Sequence, residues 1–73
     1  MAELKFQIIK QISVLSTNEK NGWTKELNLV SWNGAEPKYD LRSWNSDHSK
    51  MGRGITLTKE EMETLLQVDL TLI

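Results

Sequence analysis

The sequence predicts an α+β fold in which a four-stranded antiparallel sheet is followed by one C-terminal helix, in the order β-β-β-β-α. Three observations lead to this prediction. Four segments are rich in β-branched residues or alternate apolar and polar residues with the period of two that is typical of strands. The segment Thr58–Glu61 has the Thr-x-x-Glu spacing of a helix capping box. The chain has only 73 residues, so we expect one domain, 1–73, that gains further burial by forming a homodimer.

The first three predicted strands follow one another closely. Leu4–Ser16 is rich in β-branched residues and lacks glycine and proline, and its adjacent pair Ile8-Ile9 is the expected position of a bulge. The polar segment Thr17–Gly22 ends in Asn-Gly and predicts a turn. Trp23–Asn33 and Lys38–Asn45 then alternate apolar and polar residues on either side of a second Asn-Gly turn.

The end of the chain predicts a short strand and the helix. Arg53–Thr58 alternates with two apolar residues inward, and the hydroxyl of Thr58 and the side chain of Glu61 then begin the helix. Apolar residues recur at helical spacing and form one stripe, at Met62, Leu65 and Leu66. We expect the helix to end near 67–70. One helix cannot cover a four-stranded sheet, so the opposite face is either hydrated or used for binding.

Composition excludes several classes of function. The chain has no cysteine, which excludes disulfides and thiolate metal sites. His48 is the only histidine, and neither a nucleophile with its base nor a phosphate-binding glycine loop is visible. We therefore expect no enzyme, no catalytic residue, no metal, no cofactor and no small-molecule substrate. The N-terminus does not read as a signal peptide and no segment is long enough to span a bilayer, so we expect a cytoplasmic protein with no membrane partner.

The tryptophans are the most informative residues of the chain. The tripeptide Ser-Trp-Asn occurs twice, and the alternation places both Trp32 and Trp44 on the polar side of their strands. Trp44 shares its side with Arg42 and Lys38, and aromatic rings beside cations on an open sheet are typical of platforms that stack bases and hold phosphates. The alternative is half-buried core, because a bulge that shifts the parity by one residue would turn both rings inward. Trp23 lies on the apolar parity and is predicted to be core.

Four motifs in the same order resemble the positive-cofactor-four family of transcriptional coactivators and single-stranded-DNA-binding proteins, in its small bacterial, YdbC-like form. They are FQIIK (Phe6–Lys10), SWNG (Ser31–Gly34), YDLRSW (Tyr39–Trp44) and GRGITLTKEEMETL (Gly52–Leu65). The resemblance implies a curved sheet, a homodimer formed through helices and sheet edges, and binding of single-stranded DNA with little sequence preference.

The resemblance also implies site residues. Trp32 matches an aromatic that stacks on a base at the end of the second strand, and Trp44 lies within one residue of a second such position. Basic positions of the family match four residues here, and two further lysines are added by their face or proximity. The predicted nucleic-acid-binding residues are thus Lys10, Lys25, Trp32, Lys38, Arg42, Trp44, Lys50 and Arg53. The chain departs from the family in its longer first hairpin and in Val30 and Ser31, which stand where the family has a basic residue.

The sequence thus favours a sequence-tolerant single-stranded-DNA-binding protein that acts in transcription, replication or repair. The net charge of −1 means that any such binding must come from a local set of cations, because general polyanion binders are basic overall. The alternative is a protein-interaction module that uses the same exposed tryptophan face on a polypeptide partner, since exposed aromatics also mark protein interfaces.

Overall fold

The computed structural model describes residues 5–72 and shows four antiparallel strands in one open sheet, followed by one helix. The sheet order is the chain order, β1-β2-β3-β4, which confirms the predicted fold class. The elements are β1 (Phe6–Thr17), β2 (Thr24–Trp32), β3 (Lys38–Trp44), β4 (Met51–Leu57), α1 (Lys59–Leu66) and a 3₁₀ turn (Leu70–Leu72). Leu4, which the sequence placed at the start of the first strand, lies outside the described residues.

β1 carries three bulges against β2. Ile8 pairs with Val30 but Lys10 pairs with Leu29, so the expected bulge at Ile8-Ile9 is confirmed. Two further register shifts, between residues 11 and 13 and between residues 14 and 16, have no clear signal in the sequence. Each bulge adds a residue to β1, reverses the side chains that follow it and increases the local twist.

The hairpin that joins β2 to β3 is built on the Asn-Gly turn that the sequence predicted. Asn33 and Gly34 both have positive φ, at 52° and 76°, and the amide of Ala35 donates to the carbonyl of Trp32 over 2.9 Å. Positive φ at both central residues matches the right-handed twist of the flanking strands. The main-chain carbonyl of Lys5 accepts from the Asn33 amide over 2.7 Å, and the Lys5 amide donates to the Asn33 side chain over 2.9 Å. The turn is thereby fixed to the start of β1.

The core lies on the face of the sheet that the sequence marked as polar. Directly paired residues of antiparallel strands point to the same side. Among the residues whose burial the structure describes, the buried ones all lie on one side, and they are Glu26, Asn28, Val30, Asp40 and Trp44. Phe6 contacts the rings of both Trp32 and Trp44, although these tryptophans stand at opposite ends of the β2–β3 ladder. The sheet must therefore bend around this side, which we call the aromatic face.

The opposite side, which we call the helix face, is apolar but only partly covered. It carries Leu27, Leu29 and Tyr39, and a groove of about 500 Å³ lies between this face and α1. Leu66 of α1 is 74% exposed, and Leu65 is also exposed. A single copy of the chain thus leaves much of its apolar surface in contact with water.

The helix begins as the sequence predicts and ends one residue before the predicted range of 67–70. The amide of Glu61 donates to the Thr58 hydroxyl over 3.1 Å, and the Thr58 amide donates to the Glu61 carboxylate over 2.8 Å. This reciprocal capping box satisfies two amides that the first helical turn would leave unpaired. The helix ends at Leu66, with Gln67 as its cap. Within residues 5–72, no helix is long and apolar enough to cross a membrane.

Candidate nucleic-acid interface

Trp32 stands at the open end of the aromatic face. It is the last residue of β2, immediately before the Asn-Gly turn, and its ring is half-buried. The ring of Phe6 lies 6.0 Å away, between centroids, at an angle of 49°. The guanidinium carbon of Arg42 lies 4.7 Å from the centroid of the Trp32 ring, which is within the range of a cation–π contact. The residue keeps part of its surface exposed, although the Nε1 atom of the ring is buried.

Arg42 is held by a buried carboxylate. Its Nε atom donates to Oδ1 of Asp40 over 2.5 Å and its Nη2 atom donates to Oδ2 over 2.8 Å. Asp40 has no exposed surface and also accepts from the hydroxyl of Thr56 over 3.2 Å. A bidentate fork of this kind fixes the plane of the guanidinium as well as its position. The charge of Arg42 is therefore paired within the chain.

The structure corrects the expectation that Trp44 is an open stacking platform. The ring lies on the predicted face but is 0% exposed. Its centroid is 5.1 Å from that of Phe6 and 5.5 Å from that of His48. The parity was right, but the bend of the sheet folds β1 and the β3–β4 loop over this end of the face. Trp44 was expected to be either a stacking platform or a core residue, and its burial favours the core. Trp23, the predicted core residue, is only half-buried beside Gly52.

A buried polar group beside Trp44 was missed in the sequence. Glu26 is 2% exposed, and its carboxylate accepts hydrogen bonds from Thr24, from Asn28 over 3.0 Å, and from Nε2 of His48 over 3.0 Å. Burial raises the pKa of Glu26, but the three hydrogen bonds outweigh it and hold the pKa below its ordinary value. His48 lies 22 positions away in a polar loop, so no local pattern signals this pairing.

The predicted lysines do not all lie with Trp32. Lys10 was placed among the basic residues of the binding surface, but it pairs with Leu29 and lines the groove of the helix face. The cause of this placement is the bulge at residue 9, which reverses the side chain. Lys25 pairs with Ser43 and lies on the helix side of β2, as its parity indicates. Lys38 pairs with Val30 on the aromatic face and is exposed.

Two further basic residues lie on and beside β4, and both are exposed. Lys50 ends the β3–β4 loop, where its amide donates to the Asn45 side chain over 2.9 Å. Arg53 precedes Gly54. The backbone of Gly54 lies so close to β3 that a Cβ there would collide with Cβ of Arg42 and the carbonyl oxygen of Leu41. The structure thus brings Trp32, Arg42 and Lys38 onto one face and leaves the other cations at its rim or behind it.

An open antiparallel sheet that presents a half-buried aromatic ring beside an arginine defines a class of small β-sheet binding proteins that use rings as platforms. The chain belongs to the family described as Transcriptional Coactivator p15 (PC4), which matches residues 19–68. This confirms the resemblance seen in the sequence. The family is one of non-enzymatic proteins that bind single-stranded DNA. The chain is also similar to a protein of Treponema pallidum (strain Nichols), described as an uncharacterized protein, with 44% identity over 63 residues. That match covers 86% of this chain and 73% of the relative.

Proposed function

We propose that the protein binds single-stranded DNA with little sequence preference, stacks a base on Trp32, and acts in transcription, replication or repair. The observation that carries this proposal is the half-buried ring of Trp32 at the end of a bent sheet, with the guanidinium carbon of Arg42 4.7 Å from the ring centroid. Every base has a π-face, so a stacking platform accepts any sequence. Family membership supports the same class of ligand.

Phosphates are held, in this proposal, by exposed cations around the aromatic face. Among the described residues, Arg42 is paired with Asp40, and His48 contacts the Glu26 carboxylate. Lys38 is exposed on this face, and Lys50 and Arg53 are exposed beside and on β4. The chain is net acidic, so these local charges must provide the attraction, and affinity should fall as salt rises at about −0.7 in log–log slope per phosphate neutralised.

The functional unit in this proposal is a homodimer. α1 and the segment that follows it expose Leu65, Leu66, Val68 and Leu70 in a single copy. Exposed apolar surface of this extent is typical of an interface, and a chain of 73 residues gains stability by burying it. Light scattering or sedimentation at micromolar concentration should give twice the chain mass. A stable monomer would contradict the dimer without affecting the aromatic face.

The test of binding is a titration with oligothymidine that follows tryptophan fluorescence. Stacking on Trp32 should quench the emission, and Trp32→Ala should remove most of the quenching. Trp23→Phe is the matched control, because Trp23 lies on the other side of the sheet and its replacement should leave the quenching in place. Absence of quenching, with binding that is flat across salt concentrations, would instead favour a polypeptide partner for the same face.

A further inference from the structure

Arg42 is already paired with Asp40 within the chain before any ligand arrives. Its side chain is 14% exposed, while that of its partner Asp40 is completely buried. The guanidinium donates from Nε and Nη2 to the two carboxylate oxygens of Asp40. Its Nη1 atom lies 3.3 Å from the sulfur of Met51. If Arg42 turned outward to a phosphate, it would leave a buried carboxylate without its charge partner, which is strongly unfavourable.

The same pair of residues supports the stacking ring. Asp40 is fixed across the sheet, because the hydroxyl of Thr56 on β4 donates to its Oδ2 atom over 3.2 Å. Asp40 in turn fixes the fork of Arg42, and the guanidinium lies 4.7 Å from the centroid of Trp32. A continuous line of contacts thus runs from β4 through β3 to the ring at the end of β2.

We propose that Asp40 is a positioning residue for the stacking platform, an inference that rests on the proposed function. Asp40 holds Arg42 against one side of the Trp32 ring, so that the ring is fixed when a base stacks on its accessible surface. Arg42 then acts as the support of the ring and not as a free phosphate ligand. This assignment revises the expectation from the sequence, which gave Arg42 a phosphate contact.

Salt dependence separates the two roles of Arg42. Arg42→Lys keeps the positive charge but loses the planar fork. We expect it to bind oligothymidine about 2- to 30-fold more weakly, the range that cation–π contacts cover, with an unchanged salt slope. Lys38→Ala is the matched comparison, because Lys38 is an exposed cation on the same strand and face. It should reduce the slope by about 0.7, the value of one phosphate contact.

A double-mutant cycle tests whether Arg42 acts through the ring. In a Trp32→Ala background, Arg42→Lys should have no further effect on oligothymidine affinity, because the ring that it supports is gone. Additive effects of the two changes would overturn the proposal. This cycle uses variants that retain a positive charge beside Asp40, so it does not depend on a substitution of the buried carboxylate itself.

The two possible roles of Asp40 predict opposite effects of Asp40→Asn on oligothymidine affinity. If Asp40 positions the platform, the variant should bind more weakly with an unchanged salt slope. If Asp40 merely restrains a phosphate ligand, the variant should bind more tightly with a steeper slope, and the proposal fails. Should Asp40→Asn not fold, as judged by circular dichroism, Arg42→Lys and the cycle still decide.

The proposal and the function on which it rests fail in different ways. If Trp32→Ala binds oligothymidine as tightly as the wild type, stacking on this ring is contradicted, and with it the proposed function. Affinity that falls with Trp32→Ala but is unchanged by Arg42→Lys would leave the function standing and overturn only the role given to Asp40 and Arg42.

Discussion

The two Ser-Trp-Asn tripeptides have the same local sequence, end neighbouring strands and point to the same face, yet their rings lie in different environments. Trp32 is half-buried with Phe6 and Arg42 beside it, whereas Trp44 is 0% exposed between Phe6 and His48. The difference shows that the position of a tryptophan in the alternation of its strand determines the side of the sheet on which its ring lies. That position does not determine whether the side is open.

The asparagines that follow the two rings show how the chain produces this difference. Asn33 has positive φ and begins a tight turn, in which the amide of Ala35 donates to the carbonyl of Trp32. Asn45 instead closes a longer loop: its side-chain oxygen accepts from the Lys50 amide over 2.9 Å, and its own amide donates to the Lys50 carbonyl over 3.1 Å. That loop carries His48 to the ring of Trp44.

The largest expected effect is on the buried ring. Trp44→Ala should lower the free energy of unfolding by about 3–5 kcal/mol, because it removes a fully buried aromatic and leaves a cavity. Urea denaturation at fixed protein concentration measures this change. Trp44→Phe should retain the fold at a smaller cost. If Trp44→Ala is as stable as the wild type, the ring is not core and the contrast with Trp32 disappears.

The next effect is on binding and sharpens the comparison from the other side. Trp32→Ala should weaken oligothymidine binding by about 1–3 kcal/mol, the usual cost of losing a stacking platform. Its free energy of unfolding should change much less than that of Trp44→Ala, since the ring is only half-buried. Fluorescence-anisotropy titration and urea denaturation of the same preparation measure the two quantities. An unfolded Trp32→Ala protein would show that this ring, too, belongs to the core.

A smaller effect is expected from the loop that covers Trp44. His48→Ala should lower the free energy of unfolding by about 1 kcal/mol, because it removes one hydrogen bond to the buried Glu26 carboxylate. His48 is 25% exposed, so water can replace part of the lost contact. Acrylamide should also quench Trp44 more readily. Ser46→Ala, at an exposed position in the same loop, is the control and should behave like the wild type.

The smallest effect is a dependence of stability on pH at the closed end of the face. Folding holds the pKa of Glu26 below its ordinary value, near 4.5, so the folded state favours the carboxylate. The stability that this group contributes is complete above that ordinary value and is lost as the pH falls through the lower pKa of the folded state. Glu26→Gln should remove this component from an acid titration of unfolding. A titration curve identical to that of the wild type would contradict it.

The elements with local signals were predictable. The two Asn-Gly segments are turns because few residues other than glycine and asparagine adopt positive φ at low cost. The helix begins at the Thr58–Glu61 capping box because both partners lie within four residues of each other. The bulge at Ile8-Ile9 was also visible, since a repeated apolar residue breaks the alternation of the strand.

The candidate site was only partly predictable. The alternation correctly placed Trp32 and Arg42 on one face, and the family resemblance singled out both. Neither indicated that Asp40 would pair with the charge of Arg42, although side chains two positions apart on one strand lie next to each other on the same face. The position of Lys10 on the helix face follows from the bulge at residue 9, because one inserted residue reverses every side chain that follows it.

By itself, the sequence determined the four strands, their turns, the capped helix and the parity of the two rings, because each depends on residues within a few positions of one another. Only the tertiary structure decided which ring is buried, which lysine leaves the aromatic face, and that His48 reaches Glu26. These outcomes depend on how far the sheet bends. That bend results from three bulges in β1 together with contacts between distant strands, such as that of Phe6 with Trp44. It therefore cannot be predicted from any short segment of the chain.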